Sequence, residues 1–204
     1  MTNNINEIKY DNNKKSIIVF EGPQGVGKTG FANYCREIMP YSNLLRLSGT
    51  SDKTKTGYDK AKKMYEQWYN MLKSSEQWDI NWIFDRYFFS EELFCRNGYK
   101  QYTWSDVYWD LVNKFNETKF NLFVIFLYLE QTELYRERLK RNKPEAYNNM
   151  TINESVKQQD AYLKMAEELK SYNNINVITI PTDDFNIAYQ KLHKILPPLE
   201  TKIK

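Results

Sequence analysis

The chain has 204 residues, of which 41% are hydrophobic and 27% are charged, and its formal net charge is +3. This length suffices for one sizeable core but not for two comfortable domains, so we expect a single domain over residues 1–204. The small basic excess argues against a general nucleic-acid-binding protein, and no apolar run is long enough to span a membrane. Because the Asn-rich N-terminus also lacks the apolar segment of a secretory leader, we expect a cytoplasmic protein.

A glycine-rich loop follows the first predicted strand. Residues 1–14 are predicted to be a polar arm, either the start of a β-hairpin or disordered, and Ser16–Phe20 is predicted to be a short buried strand. The next residues fit the pattern G-x-x-x-x-G-K-[ST] at every fixed position: Gly22, Pro23, Gln24, Gly25, Val26, Gly27, Lys28 and Thr29. A helical pattern then continues to Ile38, and this strand–loop–helix context is typical of a phosphate-binding loop.

Such a loop turns its backbone N–H groups around phosphate oxygens, and the helix N-terminus adds a positive dipole. We therefore predict that the loop binds ATP, that Lys28 reaches the β- and γ-phosphates, and that the Thr29 hydroxyl holds Mg²⁺.

Apolar runs predict four further strands along the chain. They are Leu44–Leu47, Ile80–Phe84, Leu122–Leu129 and Ile175–Ile180. Apolar residues at helical spacing predict helices over residues 58–72, 107–115, 131–141, 152–171 and 185–195. This alternation predicts a three-layer α/β fold, in which a central five-stranded parallel sheet carries helices on both faces. Ligands are then expected at the carboxyl ends of the strands.

A carboxylate and a guanidinium stand side by side where the predicted strand at residues 80–84 ends. Asp85 can orient or deprotonate an acceptor oxygen, or help to hold Mg²⁺. Arg86 can donate two parallel hydrogen bonds to a phosphate, which a lysine does less well. The pair also fits an exposed ion pair at a strand end, but its position after a phosphate-binding loop favours phosphoryl transfer.

Side chains that commonly bind zinc or act as nucleophiles are scarce. Cys35 and Cys95 lack C-x-x-C spacing, which favours two reduced, part-buried thiols. The only histidine is His193. A zinc site or a histidine-based catalytic triad is therefore not expected.

Four segments, in chain order, carry a resemblance to a known kinase family. They are Phe20-Glu21-Gly22, Arg46-Leu47-Ser48-Gly49-Thr50, Asp85-Arg86-Tyr87 with Ser90, and Tyr135-Arg136-Glu137-Arg138-Leu139-Lys140-Arg141. The chain resembles the thymidylate kinase and deoxynucleoside kinase branch of P-loop kinases, and it resembles the thymidylate kinases most. The resemblance implies phosphoryl transfer from ATP to a nucleotide, and it makes a homodimer the expected assembly.

The resemblance also implies roles for several arginines. Arg46 and Arg86 are expected near the 5′-phosphate of the acceptor. Because the phosphate-binding loop has no arginine, an arginine of a lid at about residues 134–150 is expected to neutralise the charge of the transferred group. The candidates are Arg136, Arg138 and Arg141, with Arg138 as the first choice. The same cluster also fits a solvated helix face.

The residues expected to recognise the base depart from the family pattern. Tyr58 and Lys62 have the spacing of the family's Phe-x-x-x-Arg clamp, so Tyr58 is expected to stack on a base and Lys62 to donate to a pyrimidine carbonyl. Phe94 keeps the ring of the family's Ala-Tyr-Gln, whereas Cys95 loses its amide. Gln24 stands where an acidic residue usually lies near the acceptor sugar, and its amide can still bind a hydroxyl.

The leading interpretation is a kinase that converts dTMP, or a close pyrimidine analogue, to the diphosphate. A deoxynucleoside kinase is the first alternative, although those enzymes more often carry Glu and Ser where this chain has Asp85 and Thr29. A catalytically silent nucleotide-binding protein is the second alternative, because the acceptor site departs from the family pattern. A polynucleotide 5′-kinase is disfavoured by the near-neutral charge.

Overall fold

The computed structural model describes residues 8–142, 144 and 151–196. Five strands form one parallel sheet in the order β2-β3-β1-β4-β5. Their bounds are β1 Ser16–Glu21, β2 Ser42–Arg46, β3 Asn81–Asp85, β4 Asn121–Tyr128 and β5 Ile175–Pro181. The predicted five-stranded parallel sheet is therefore confirmed, with strand ends that differ from the expected ones by at most two residues.

Seven α-helices lie within the described residues, and a short 3₁₀ turn at Ser75–Gln77 follows the second. Their bounds are α1 Lys28–Ile38, α2 Lys55–Ser74, α3 Phe88–Arg96, α4 Ser105–Asn116, α5 Leu134–Asn142, α6 Ile152–Leu169 and α7 Phe185–Ile195. None of these helices is long and apolar enough to cross a membrane.

The helices cover both faces of the sheet, as predicted. Side chains of a strand alternate between the two faces: Ile17 and Val19 of β1 lie in one core cluster, and Ile18 and Phe20 lie in the other. The first cluster contains buried residues of α2, α3, α4 and α6, and the second contains those of α1 and α7. Burial on both faces explains why the strands appear in the sequence as nearly continuous apolar runs.

The polar arm is bound to the amino-terminal edge of the sheet. Asn121, the first residue of β4, accepts a hydrogen bond from the backbone N–H of Asp11 at 2.9 Å and donates to the carbonyl oxygens of Asp11 and Lys14. Asn176 of β5 accepts from the Lys9 N–H at 2.8 Å and donates to its carbonyl at 2.9 Å. Residues 8–14 therefore form neither a hairpin strand nor a free segment, and residues 1–7 lie outside the described residues.

The aromatic segment at residues 99–109 could by its sequence serve either the core or a dimer interface. Trp104 and Tyr108 are completely buried within the single chain. These two rings therefore belong to the core, and dimerisation stays a prediction.

The sheet order brings the ends of three strands together. β1 pairs with β3 so that Phe20 lies opposite Asp85, and β2 pairs with β3 so that Arg46 lies opposite the same aspartate. Because all strands are parallel, the glycine-rich loop after β1, Arg46 and Asp85 meet at one edge of the sheet.

Candidate active site

The loop between β1 and α1 is tightly enclosed by its neighbours. Gly22 has φ +143°, and a Cβ there would lie 2.4 Å from the carbonyl oxygen of Leu127. Gly27 is the left-handed N-cap of α1, with φ +94°, and its Cβ would lie 2.6 Å from the Phe185 ring. Both positions therefore require glycine, for conformation and for space.

The side chains of the loop are arranged around its turn. The ammonium group of Lys28 donates to the carbonyl oxygen of Pro23 at 2.5 Å, so this largely buried side chain crosses the loop. Val26 is completely buried in the second core cluster. The side-chain nitrogen of Gln24 is buried without a hydrogen-bond partner among the described residues. An unsatisfied buried donor is costly, and a hydrogen bond to a bound water or ligand at this place would remove that cost.

A hydroxyl–carboxylate contact joins the loop to the end of β3. The Thr29 hydroxyl donates to Asp85 Oδ2 at 2.5 Å, and the Asp85 side chain is largely buried. Two hard oxygen ligands at this place suit Mg²⁺, which in kinases binds through one or two protein oxygens, substrate phosphates and water. Among the described residues, no group of three or more His, Cys, Asp or Glu side chains is placed to hold a metal by itself.

Arg46 reaches the same carboxylate from β2. Its Nε lies 4.0 Å from Asp85 Oδ2, and its Nη2 donates to the side-chain oxygen of Asn33 at 2.9 Å. The Arg46 side chain is 57% exposed, so its guanidinium is accessible from the solvent side of the site.

Arg86 adopts a backbone conformation that is unusual for a residue with a side chain. Its φ is +74°, in the left-handed region, and its backbone N–H donates to the carbonyl oxygen of Phe20 at 3.1 Å. Conformations of this kind cost about 1–3 kcal/mol and cluster at functional sites. The Arg86 Nη1 donates to Ser90 Oγ and to the Tyr162 hydroxyl, each at 3.0 Å.

Glu21, at the end of β1, is a site residue whose importance the sequence did not reveal. Its side chain is completely buried and accepts hydrogen bonds from the Tyr87 N–H at 2.7 Å and from Ser90 Oγ at 2.6 Å. Burial raises the pKa of the Glu21 carboxyl, whereas the nearby charge of Arg86 opposes that rise. The Phe20-Glu21-Gly22 motif marked the position but not these contacts.

A buried ion pair fixes the segment that follows β2. The Lys100 ammonium lies 3.0 Å from Glu91 Oε1 and donates to the Thr50 carbonyl oxygen at 2.5 Å. The Tyr102 hydroxyl donates to the same Glu91 oxygen at 2.6 Å. A Cβ at Gly49 would lie 2.5 Å from the other oxygen of Glu91, which explains the glycine in the Arg46-to-Thr50 motif. Nothing in the sequence signalled Lys100.

Tyr58 and Phe94, two of the residues expected to bind the base, have different partners. The Tyr58 hydroxyl donates to Asp106 at 2.9 Å, and its ring packs edge-on against Tyr102 with centroids 5.8 Å apart. The half-buried Phe94 instead lies beneath the Arg86 guanidinium, whose carbon is 6.0 Å from the ring centroid. Lys62 is half-buried on α2. Base recognition by Tyr58, Lys62 and Phe94 stays a prediction.

Among the lid arginines, Arg138 is held firmly. Its Nη2 donates to the carbonyl oxygens of Thr182 at 2.7 Å and Asp183 at 3.1 Å. Its guanidinium carbon lies 4.4 Å from the centroid of Phe185, the ring that also faces Gly27. Burial lowers the pKa of Arg138. These contacts bind α5 to the loop between β5 and α7.

The other two lid arginines, Arg136 and Arg141, are exposed on α5. The predicted lid continues through residues 143 and 145–150, which lie outside the described residues. Which arginine serves the transition state therefore stays a prediction.

Among the solved structures of similar fold are two thymidylate kinases and a deoxyadenosine kinase. Thymidylate kinase from Candida albicans matches with a TM-score of 0.65 and 15% identity, over 89% of this chain and 91% of that one. Thymidylate kinase from Ehrlichia chaffeensis matches with a TM-score of 0.58 and 18% identity, over 90% of this chain and 100% of that one. Deoxyadenosine kinase from M. mycoides, in a structure with dCMP and a flexible dCDP as products, matches with a TM-score of 0.53 and 15% identity, over 88% and 100%.

No protein-family model and no curated protein sequence matches the chain. The chain has a thymidylate kinase-like P-loop kinase fold, which confirms the fold predicted from its motifs. At 15–18% identity the likeness concerns the fold. Function must come from the site itself.

Proposed function

We propose that the protein is an ATP-dependent nucleoside monophosphate kinase, and that dTMP is its leading acceptor. The convergence of three strand ends carries this proposal. The phosphate-binding loop, the Asp85 carboxylate 2.5 Å from the Thr29 hydroxyl, and two arginines lie at one edge of the sheet. Phosphoryl transfer depends mainly on positioning and charge neutralisation, which such a set of groups supplies.

On the donor side, the loop backbone and Lys28 bind the phosphates of ATP. In the present structure the Lys28 ammonium contacts the Pro23 carbonyl, so we expect it to exchange this partner for the β- and γ-phosphates. Thr29 and Asp85 have the oxygen chemistry to hold Mg²⁺. When bound, Mg²⁺ would neutralise part of the phosphate charge.

On the acceptor side, Arg86 and Arg46 bind the 5′-phosphate, and Asp85 orients the attacking oxygen. A guanidinium binds a phosphate through two parallel hydrogen bonds, which fixes direction as well as position. The unpartnered Gln24 nitrogen supports a hydrogen bond to the acceptor sugar. Tyr58, Lys62 and Phe94 are the proposed base-recognition residues.

The lid supplies the last positive charge. Arg138 is one candidate, because Nη1 also lies 3.5 Å from the Gly25 carbonyl oxygen of the phosphate-binding loop. Arg136 and Arg141 are the alternatives, and both are exposed on α5. An arginine that arrives with the substrates also limits wasteful hydrolysis of ATP.

Deoxynucleoside kinase activity is the second candidate function. It is supported by the structural likeness to deoxyadenosine kinase and by the position of Arg46, which is exposed and already bonded to Asn33. If acceptor binding needs only Arg86, the acceptor can be a nucleoside. If it needs both Arg86 and Arg46, an acceptor that carries a phosphate is favoured.

The test is ADP formation from ATP and Mg²⁺ with dTMP, dUMP, dCMP, dGMP, thymidine or deoxycytidine, with Lys28→Ala as the background control. Turnover with a monophosphate alone, abolished in Lys28→Ala, is the expected result. Turnover with nucleosides alone would instead support the second candidate function, deoxynucleoside kinase activity. ATP binding without turnover on any acceptor would favour a catalytically silent nucleotide-binding protein.

A further inference from the structure

A buried carboxylate links the two halves of the site. Glu21 ends β1 and directly precedes the phosphate-binding loop, yet its hydrogen bonds go to the segment after β3. Its carboxyl lies within electrostatic reach of both Lys28 on the donor side and Arg86 on the acceptor side. A buried charge between two such cations is costly unless it is well bonded.

The hydrogen bonds around Glu21 have only one consistent direction when the carboxyl is ionised. Ser90 has a single hydroxyl proton, which it donates to Glu21 at 2.6 Å. The Arg86 Nη1 donates to both Ser90 and Tyr162. The contact of 2.9 Å between the Ser90 and Tyr162 hydroxyls must then be a donation from the tyrosine. Every proton in the network points from the guanidinium toward the carboxylate.

This network determines which part of Arg86 is free. Nη1 contacts both Ser90 and Tyr162, whose hydroxyls lie 2.9 Å apart, so this nitrogen faces the network. The Nε–Nη2 edge remains, and this edge can donate two parallel bonds to one phosphate. The surroundings of Arg86 favour its charged form. Burial alone would lower the pKa of Arg86, but Tyr162, Glu21 and Asp85 raise it.

We propose that Glu21 is a positioning residue for phosphoryl acceptor binding. In its ionised form it orders Ser90 and Tyr162, and these two hydroxyls hold the Arg86 guanidinium so that its Nε–Nη2 edge faces the acceptor phosphate. Glu21 itself does not touch the substrate. This inference rests on the proposed function, because it takes Arg86 as the acceptor-binding arginine.

Glu21→Gln is the informative variant because glutamine has the same shape. Its amide nitrogen must donate to Ser90, which reverses the hydrogen bond and removes the charge that anchors Arg86. We expect the KM for dTMP to rise about 10- to 100-fold, the size expected when a charged hydrogen-bond network is broken. The KM for ATP should change less than about twofold, because the donor loop keeps its own contacts.

A double-mutant cycle with Arg86→Lys separates positioning from general damage. If Glu21 acts through Arg86, then Glu21→Gln adds little to the KM increase already caused by Arg86→Lys. Additive effects, or a parallel loss of ATP affinity, would overturn the inference. Glu130→Gln, which changes an exposed glutamate two residues beyond the end of the neighbouring strand β4, is the matched control and should leave both KM values unchanged.

Two further variants keep the test decisive if Glu21→Gln folds poorly. Tyr162→Phe and Ser90→Ala each remove one hydroxyl and retain the carboxylate, so each should raise the dTMP KM with a smaller effect on kcat. An unchanged dTMP KM in both would overturn the inference. Binding of dTMP to the unaltered protein is measured first, by calorimetry. If no monophosphate binds or is turned over, the proposed function fails together with the inference. If dTMP binds and Glu21→Gln binds it equally well, only the positioning role of Glu21 fails.

Discussion

The Thr29 hydroxyl lies 2.5 Å from Asp85 Oδ2, although 56 residues separate the two positions in the chain. Thr29 stands in the first turn of α1, and Asp85 is the last residue of β3. The parallel pairing of β1 with β3 brings them together. This contact places the two proposed magnesium ligands, a hydroxyl and a carboxylate, where the proposed donor and acceptor subsites meet.

We expect Asp85→Asn to lower kcat by at least about a hundredfold, the usual contribution of a positioned acid–base group. The Mg²⁺ concentration needed for half-maximal rate should rise as well, because an amide is a weaker magnesium ligand than a carboxylate. Titration of activity with Mg²⁺ measures both effects. Asp79→Asn, an exposed aspartate at the opposite edge, is the control. Unchanged magnesium dependence would remove Asp85 from the proposed metal site.

Lys28→Ala should abolish turnover, since no other side chain of the loop supplies a positive charge to the phosphates. The thermal midpoint should change little without nucleotide, whereas the stabilisation that ATP gives to the native protein should largely disappear. Thermal unfolding with and without ATP–Mg²⁺ measures this difference. Lys14→Ala, on the exposed arm, provides the comparison. Equal stabilisation by ATP in both variants would contradict the assignment.

Arg138 and Arg136 should differ in what their removal changes. Arg138 binds two backbone carbonyls of the loop after β5, so Arg138→Ala should raise the KM for ATP and lower the thermal midpoint in addition to any loss in kcat. Arg136 is exposed, so Arg136→Ala should affect kcat alone if it is the lid charge. Steady-state kinetics with varied ATP separates the two. A loss in kcat alone in Arg138→Ala would make Arg138 the transition-state arginine.

Gly57→Ala should destabilise the protein even though Gly57 lies in helix α2. Alanine normally stabilises a helix by about 1 kcal/mol relative to glycine. Here, however, a Cβ would lie 2.1 Å from the Asp52 carbonyl oxygen, so the backbone must move, at a cost of about 1–3 kcal/mol. Urea unfolding measures the change. Gly30→Ala in α1 is the comparison, because only the end of the Tyr189 side chain lies near its Cβ. A more stable Gly57→Ala variant would contradict the expectation.

Neither cysteine should react readily in the native protein. Burial, with the Glu91 and Glu92 charges nearby, raises the pKa of the Cys95 thiol to about 12, and burial also raises the pKa of Cys35. Because the thiolate is the reactive form, native Cys95 at pH 8 should react about a thousandfold more slowly than an ordinary thiol. The rate should rise tenfold for each pH unit below that pKa.

Ellman's reagent, applied with and without urea, measures these rates, and Cys95→Ser assigns them. One thiol that reacts in the native state as fast as in urea would show that the Cys95 environment is not the one described.

The sequence by itself determined the sheet and the position of the loop that we propose as the donor subsite. Strands that are buried on both faces must be continuous apolar runs, and a phosphate-binding loop must place its glycines and Lys28 at fixed spacing. Each constraint acts on residues that are close together in the chain, so each produces a pattern that can be recognised in the sequence. The same holds for Asp85 and Arg86, since a strand end followed by a helix is a local feature.

Only the tertiary structure decided how the proposed acceptor side is supported. Glu21 contacts Ser90 across 69 residues, Arg86 contacts Tyr162 across 76, and Lys100 contacts Thr50 across 50. No spacing rule in one sequence connects such residues, because their approach depends on the order of the strands and on the packing of α3 and α6 against the sheet. The sequence identified the charged groups that the proposed chemistry uses, and the fold chose the buried partners that hold them.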